Sequence, residues 1–196
     1  MKLSILIASL ASRGDMLSDL LFELDHQGAD HSGEYEILVD VDDGRIPIGQ
    51  KRQRLLEGAD GDFIVFHDDD DEPAPEYLPG ILAECRDGVD CIGYRIACYG
   101  YSRRGPYVME LADVSNRYDR WAENVGGFRY VRCPHHLVPV RREHALAVGF
   151  DKASKYGEDA AYSYGLRDAG LLKIEAYIPQ VMYTIHHNPR KVFGRQ

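Results

Sequence analysis

The stretch Gly61-Asp62-Phe63-Ile64-Val65-Phe66-His67-Asp68-Asp69-Asp70-Asp71 decides how this chain folds. Phe63 to Phe66 is an unbroken apolar run the length of a short strand, with no polar alternation, as expected of a strand covered on both faces. It runs, after His67, into four consecutive aspartates. Carboxylates packed that closely repel one another and push some of their number toward the neutral form. Solvent relieves the repulsion, and so does a hard divalent cation such as Mg²⁺ or Mn²⁺, which takes oxygen ligands. Two readings stand here. One is a solvated acidic turn continuing through Glu72 and Pro73. The other is a cation-binding strand end, placed where open α/β sheets bind ligands, at the carboxyl ends of their strands. The apolar strand directly before the acids favours the second.

Upstream, Leu3 to Ser9 reads as another covered strand. After the Ala11–Gly14 loop, Asp15 is placed to cap a helix on which Met16, Leu17, Leu20, Leu21 and Leu24 recur at helical spacing. Glu36 to Val41 gives a second strand leading into Asp42-Asp43-Gly44, and a helix over about Gly49 to Glu57 carries Lys51, Arg52 and Arg54. The order β-α-β-α-β builds a right-handed, mostly parallel, doubly wound sheet. No GxGxxG follows the first strand, so the dinucleotide fingerprint is absent.

Downstream the pattern changes. Asp90–Tyr101, Pro106–Leu111 and Phe128–Val140 look extended and suggest antiparallel strands joining the sheet edge. Asp113 to Gly127, polar and containing Trp121, is expected as a long irregular loop of the kind that forms lids or binding elements. Arg142–Val148 and Gly157–Ala169 read as helices ended by Gly149 and Gly170.

Composition bounds the function. The 196 residues suit one domain, and 44% hydrophobic with 28% charged residues is ordinary for a globular protein. A net charge of −9 argues against broad nucleic-acid binding, which needs a basic surface. Cys85, Cys91, Cys98 and Cys133 lack CxxC spacing, so neither a zinc site nor a redox motif is indicated; reduced buried thiols are favoured, with a disulfide left open. The amino-terminal apolar run is too short for a signal peptide and no segment is long enough to cross a bilayer, so a cytoplasmic location is expected.

Taken in order, Leu3–Ser9, Ile37–Gly44 with its Asp42-Asp43-Gly44, Gly49-Gln50-Lys51-Arg52, Asp62–Asp71 and Gly157-Glu158-Asp159 resemble a family 2 glycosyltransferase of the GT-A fold. The Asp-x-Asp equivalent is Asp68-Asp69-Asp70. The chain departs from the family's usual pattern at Gln53, at Ala8-Ser9-Leu10 and at Arg45. The resemblance implies a GT-A-like α/β domain, with a nucleotide-sugar-binding half over about 1–98 and an acceptor half over about 99–196. It implies metal-dependent, inverting transfer from a nucleotide-sugar, a UDP-sugar being favoured, to an acceptor hydroxyl on a glycan, a lipid carrier or a modified nucleic acid.

The implied roles each have a plainer rival. Ser9 and Asp42 would meet the nucleoside, although Asp42 also suits a turn. Lys51 and Arg52 would face the diphosphate, or be solvated helix cations. Asp68 and Asp70 would hold Mn²⁺ or Mg²⁺, with Asp69 beside the nucleotide and His186, or its neighbour His187, as a further ligand. Asp159, with Glu158 second, would take the acceptor's proton; alternatively the pair only complements a helix N-terminus. Trp121 would stack on a sugar or base, or anchor its loop. Arg129, Arg132, Arg141 and Arg142 would meet an anionic acceptor, or form a solvated face. Two rival functions remain: a non-catalytic nucleotide-sugar or glycan-binding module, and a metal-dependent phosphohydrolase. The latter is disfavoured because the acidic run follows the third strand, not the first.

Overall fold

A computed structural model describes residues 1–102, 105–151, 153 and 157–186. The first half alternates as expected: β1 (Leu3–Leu10), a short 3-10 turn, α1 (Gly14–Gln27), β2 (Tyr35–Asp42), α2 (Ile48–Gly58) and β3 (Phe63–Phe66). β1 pairs in parallel with both β2 and β3. The period-two alternation of side chains then sorts the core. Leu3, Ile5, Ile7, Phe63 and Val65 pack on one face with Leu20 and Leu24 of α1. Leu6, Ile64 and Phe66 pack on the other with Leu55 and Leu56 of α2. Each β3 side chain is essentially fully buried. At roughly 1.5–3 kcal/mol per side chain, that burial can fix an acidic segment that would otherwise spread apart.

The second half comprises β4 (Glu72–Pro73), α3 (Tyr77–Glu84), β5 (Cys91–Ser102), β6 (Gly105–Val114), β7 (Ala122–Val125), β8 (Phe128–Arg132), β9 (Val140–Arg141), α4 (Arg142–Val148), α5 (Glu158–Asp168) and β10 (Glu175–His186). The strand order is β2-β1-β3-β9-β5-β6-β8-β7, with β10 on the other side of β5 and β4 paired to β10. The chain is therefore α/β with a mostly parallel central sheet, and the antiparallel pairs β3–β9, β5–β9, β5–β6, β7–β8 and β4–β10 come from its later strands. A close approach fixes the entry to β3. A Cβ on Gly61 would lie 2.7 Å from the Ser4 nitrogen and 2.9 Å from the Lys2 carbonyl oxygen, so only glycine fits there.

Several expectations are corrected. β5 is not at the sheet edge, because β10 pairs with it in parallel on one side and β6 antiparallel on the other. Asp113–Gly127 is not irregular throughout; β6 continues to Val114, and β7 forms a hairpin with β8 across Gly126-Gly127, both with positive φ. The extended run from Phe128 stops at Arg132, and buried coil carries the chain to β9. Asp15 lies in the first turn of α1, whose N-cap is Arg13 and has no side-chain cap. All four cysteines are free and buried. No helix is long and apolar enough to cross a membrane among the described residues.

Candidate active site

The acidic run is shaped by its neighbours before any ligand enters. His67, fully buried, packs its ring between Tyr77 and Tyr183, and burial lowers its pKa to about 4, so it is neutral at pH 7. The Asp68 N–H donates to the Tyr183 hydroxyl at 3.1 Å, and that hydroxyl donates to Asp71 Oδ2 at 2.9 Å. Asp71 Oδ1 accepts from the His186 N–H at 2.9 Å. β10 thereby clamps the turn from below.

The four carboxylates then point to different partners. Asp69 turns inward, accepting from Ser9 Oγ at 2.6 Å and from Arg13 at 2.7 Å. Asp70 reaches the same Arg13 at 3.2 Å. Asp68 meets Arg52 at 3.1 Å and His136 Nε2 at 3.5 Å. Burial works against the Asp68 charge, but Arg52 and then His136 outweigh it and hold this carboxyl below its usual range. Asp70 and Asp71 are instead held above the ordinary carboxylate range, by burial first and by the charge on neighbouring aspartates after it. This excess negative charge fits a hard divalent cation. No three acidic, histidine or cysteine groups converge as a ready-made metal cluster among the described residues. The His186 ring lies 3.2 Å from Glu72 and stacks on Tyr99, and His187 lies outside the described residues.

Above the run opens a cleft of about 730 Å³, within the range of small-molecule sites, walled by Arg13, Asp42, Lys51, Asp68, Asp69 and Asp70 together with apolar side chains such as Leu10 and Ile46. Asp42 sits at the end of β2. It accepts from Lys51 Nζ at 2.7 Å and from the Gly44 and Ile46 N–H groups, each at 2.9 Å. The Lys51 contact, followed by the Ile46 N–H, lowers its pKa to about 2. Lys51 Nζ also donates to the Ser9 carbonyl, tying α2 to the end of β1. Ser9, Asp42, Lys51 and Asp69 thus lie together on one side of the site.

Arg52, one residue on, faces elsewhere. Its guanidinium is buried between Glu158 at 2.7 Å and Asp68 at 3.1 Å, over the Phe66 ring. Glu158 is itself buried in that pair. Its neighbour Asp159 instead borders a second pocket of about 280 Å³, which also contains Asp68, Trp121, Arg132, His135 and His136. Gly157, at φ 77°, provides the left-handed N-cap that turns the chain into α5. Asp159 Oδ2 lies 3.4 Å from Arg132. Although burial opposes its charge, His136, Arg132 and Arg52 hold the Asp159 carboxyl below its usual range, so it is ionised at neutral pH. Asp68 lies in the wall of both cavities.

Of the four later arginines, Arg129 and Arg132 reach this second pocket. Arg141 instead caps carbonyls of Val89 and Arg86 and covers Phe63, so the four do not form one basic patch. His135 and His136, which Pro134 and Pro139 suggested as part of an edge strand, lie in buried coil. Arg13 and Tyr183 were not singled out from the sequence. Arg13 alone carried a signal there, as a cation in the loop after the first strand, facing the acids that end the third.

Comparison with known proteins bears on the fold and the family. Among curated protein sequences none matches the chain. Among solved structures, TarS from S. aureus in complex with UDP superposes with a TM-score of 0.65 at 16% identity, over 99% of this chain and 63% of that one. Its complex with UDP-GlcNAc gives 0.62 at 14% identity, over 95% and 59%. A mutant of Drosophila beta1,4-galactosyltransferase 7, in complex with manganese, UDP-Gal and xylobiose, gives 0.58 at 16% identity, over 97% and 74%. At these identities the likeness concerns the fold, and the chain spans about three-fifths of the TarS fragment. The profile of Glycosyl transferase family 2 matches residues 47–157, more than half of the chain, from the start of α2 to the glycine that opens α5. The protein belongs to glycosyl transferase family 2.

Proposed function

We propose that this protein transfers a sugar from a UDP-sugar to an acceptor hydroxyl with inversion at the anomeric carbon. The observation that carries the proposal is the placement of Asp68 in the wall shared by two cavities, one of nucleotide size in which Arg13 and Lys51 stand beside the aspartates that would hold a cation, and one bordered by the ionised Asp159. The larger cleft receives the donor: Asp42, oriented by Lys51, accepts from the uracil ring N–H or a ribose hydroxyl, and Arg13 supplies positive charge near the phosphates. Asp68 and Asp70 would hold Mn²⁺ or Mg²⁺, which when bound supplies Lewis-acid stabilisation of the charge on the leaving diphosphate. Solved neighbours bound to UDP, to UDP-GlcNAc and to manganese with UDP-Gal support this choice of donor and cation.

On the acceptor side Asp159 takes the proton of the attacking hydroxyl. The new bond forms from that oxygen to the anomeric carbon as the bond to the diphosphate breaks, its electron pair leaving with UDP. Arg52 acts as a positioning residue, holding Asp68 and Glu158 in place, because both ends of its guanidinium are already engaged. The nucleotide-binding half, about residues 1–98, and the acceptor half, about 99–196, are bridged by that arginine's pair with Glu158.

Calorimetric titration with UDP, GDP and CDP, each with and without Mn²⁺, tests the reading. Binding of UDP that requires Mn²⁺ and weakens about 100-fold in Asp70→Ala is the expected result, in line with the loss of a metal-site group. Absence of metal-dependent binding of any of the three nucleotides overturns it.

A further inference from the structure

The smaller pocket carries information about the acceptor that the family does not supply. Its wall includes Trp121, which stacks on Tyr130 with ring centroids 4.0 Å apart and 16° between the planes. Tyr130 is buried, yet Trp121 remains 43% exposed beside it, so a large aromatic surface borders the cavity and is held in place from behind. Arg132 braces the indole, its guanidinium carbon 5.6 Å from the ring centroid, while also approaching Asp159. Around this platform stand buried polar atoms without hydrogen-bond partners among the described residues: His135 Nε2 and Arg132 Nε. His136 Nε2 has only the long 3.5 Å approach to Asp68. All three residues are more than nine-tenths buried and line the pocket. Leaving such atoms unsatisfied is costly, so a ligand that offers hydroxyl groups gains by completing them.

Size and charge narrow the class. A volume of about 280 Å³ is room for one sugar ring of about a dozen heavy atoms. Four carboxylates, Asp68, Asp71, Glu123 and Asp159, border the space against two arginines, Arg129 and Arg132. Arg129 is in addition 3.6 Å from Glu110. This lining opposes a phosphate-bearing nucleic acid, as does the net charge of −9. It suits an uncharged polyol that stacks its C–H face on an aromatic ring and accepts and donates hydrogen bonds around its rim.

We propose that this pocket binds a single uncharged pyranose of a saccharide acceptor, stacked on Trp121 and hydrogen-bonded by His135, His136 and Arg132. The assignment rests on the transferase reading above and adds to it the acceptor class and the residues that select it. Trp121 is a recognition residue, and its hairpin, β7–β8, is the element that sets acceptor choice.

Trp121 is the chain's single tryptophan, so its emission reports on this pocket alone. The experiment titrates the intact protein with methyl β-glycosides of glucose, galactose, xylose and N-acetylglucosamine, with and without UDP and Mn²⁺. A saturable blue shift with at least one glycoside is expected. Ligand-detected NMR on Trp121→Ala should show that glycoside bound about tenfold more weakly, with UDP affinity unchanged. Should all four glycosides leave the emission unmoved while UDP and Mn²⁺ bind, the saccharide assignment fails and the transferase reading stands. Glycoside binding without any nucleotide binding sustains the pocket assignment and overturns the donor site. Emission that responds to a hydroxymethylated single-stranded oligonucleotide and to no glycoside overturns the proposal in favour of a nucleic-acid acceptor.

Discussion

The two cavities that meet at Asp68 are built on opposite principles. In the larger cleft the cations already have partners: the buried Lys51 is closed onto Asp42, and the partly exposed Arg13 spans Asp69 and Asp70. In the smaller pocket the aromatic platform is exposed, and buried nitrogens of His135 and Arg132 lack partners among the described residues. A charged ligand gains most from groups that are fixed in advance, since reorienting dipoles around a phosphate is costly. A neutral ligand of many hydroxyls gains most from groups that wait for it. The difference is in keeping with the charged donor proposed for one side and the polyol proposed for the other.

Substitutions can break or sharpen that contrast. The largest effect belongs to Asp159→Asn: transfer should fall about 1000-fold through loss of the general base, while calorimetry finds UDP affinity within about twofold of the parent. Equal losses in both would mean that the cavities cannot be separated. Arg52→Met comes next, because it removes the cation buried between Glu158 and Asp68 and leaves their charges uncompensated. Thermal melts should show a loss of roughly 3–5 kcal/mol, about 10 °C in melting temperature. An unaltered melting temperature would mean that the two halves do not depend on this bridge.

A smaller effect concerns acid. Asp42 has a folded pKa of about 2 against an ordinary 3.8, so its contribution to stability is complete above about pH 4 and fades as the pH falls toward 2. Melting temperatures across that window should drop more steeply for the parent than for Asp42→Asn; parallel curves would show that the Lys51 contact is not what braces the cleft. The smallest effect is reserved for Arg45, 86% exposed in its side chain and paired with Asp43. Arg45→Ala should shift stability by less than about 0.5 kcal/mol. Any change in nucleotide affinity beyond about threefold would show instead that this flexible cation closes over the cleft.

Much of the donor side was legible in the sequence because its signals are local. The unbroken apolar runs of β1 and β3 and the helical spacing in α1 and α2 each specify an element within a few residues, and strand order then brings their ends together. The later elements were harder to read. α3 carries Pro79 and Gly80, which look like breakers but sit in and just after its first turn, where a missing N–H matters least. β10 contains Pro179, and the structure absorbs it as a shift of register between Ile178 and Val181. The hairpin at Trp121 hides in a polar stretch because all of β7 is exposed. The partners of Asp68, Arg52 on α2 and His136 in the coil before β9, lie 16 and 68 residues away, and no periodicity encodes such meetings.

The hydroxyl of Tyr183 has a kinetic consequence. It joins Asp68 and Asp71 across separations of 115 and 112 residues, and the strand that brings it lies parallel to β5 across a long crossover. Contacts of such high order form late, since the loop entropy of closing them must be met before they return any stability. The βαβ core around β1 and β3 can therefore collapse first, before the acidic turn has all of its partners. Asp69 and Asp70 already meet Ser9 and Arg13 within that core, and the docking of β10 then adds the Tyr183 hydroxyl and the His186 N–H to Asp68 and Asp71. The last contacts to form are thus those that complete the candidate site, and a chain lacking a docked β10 keeps Asp68 and Asp71 without the Tyr183 hydroxyl.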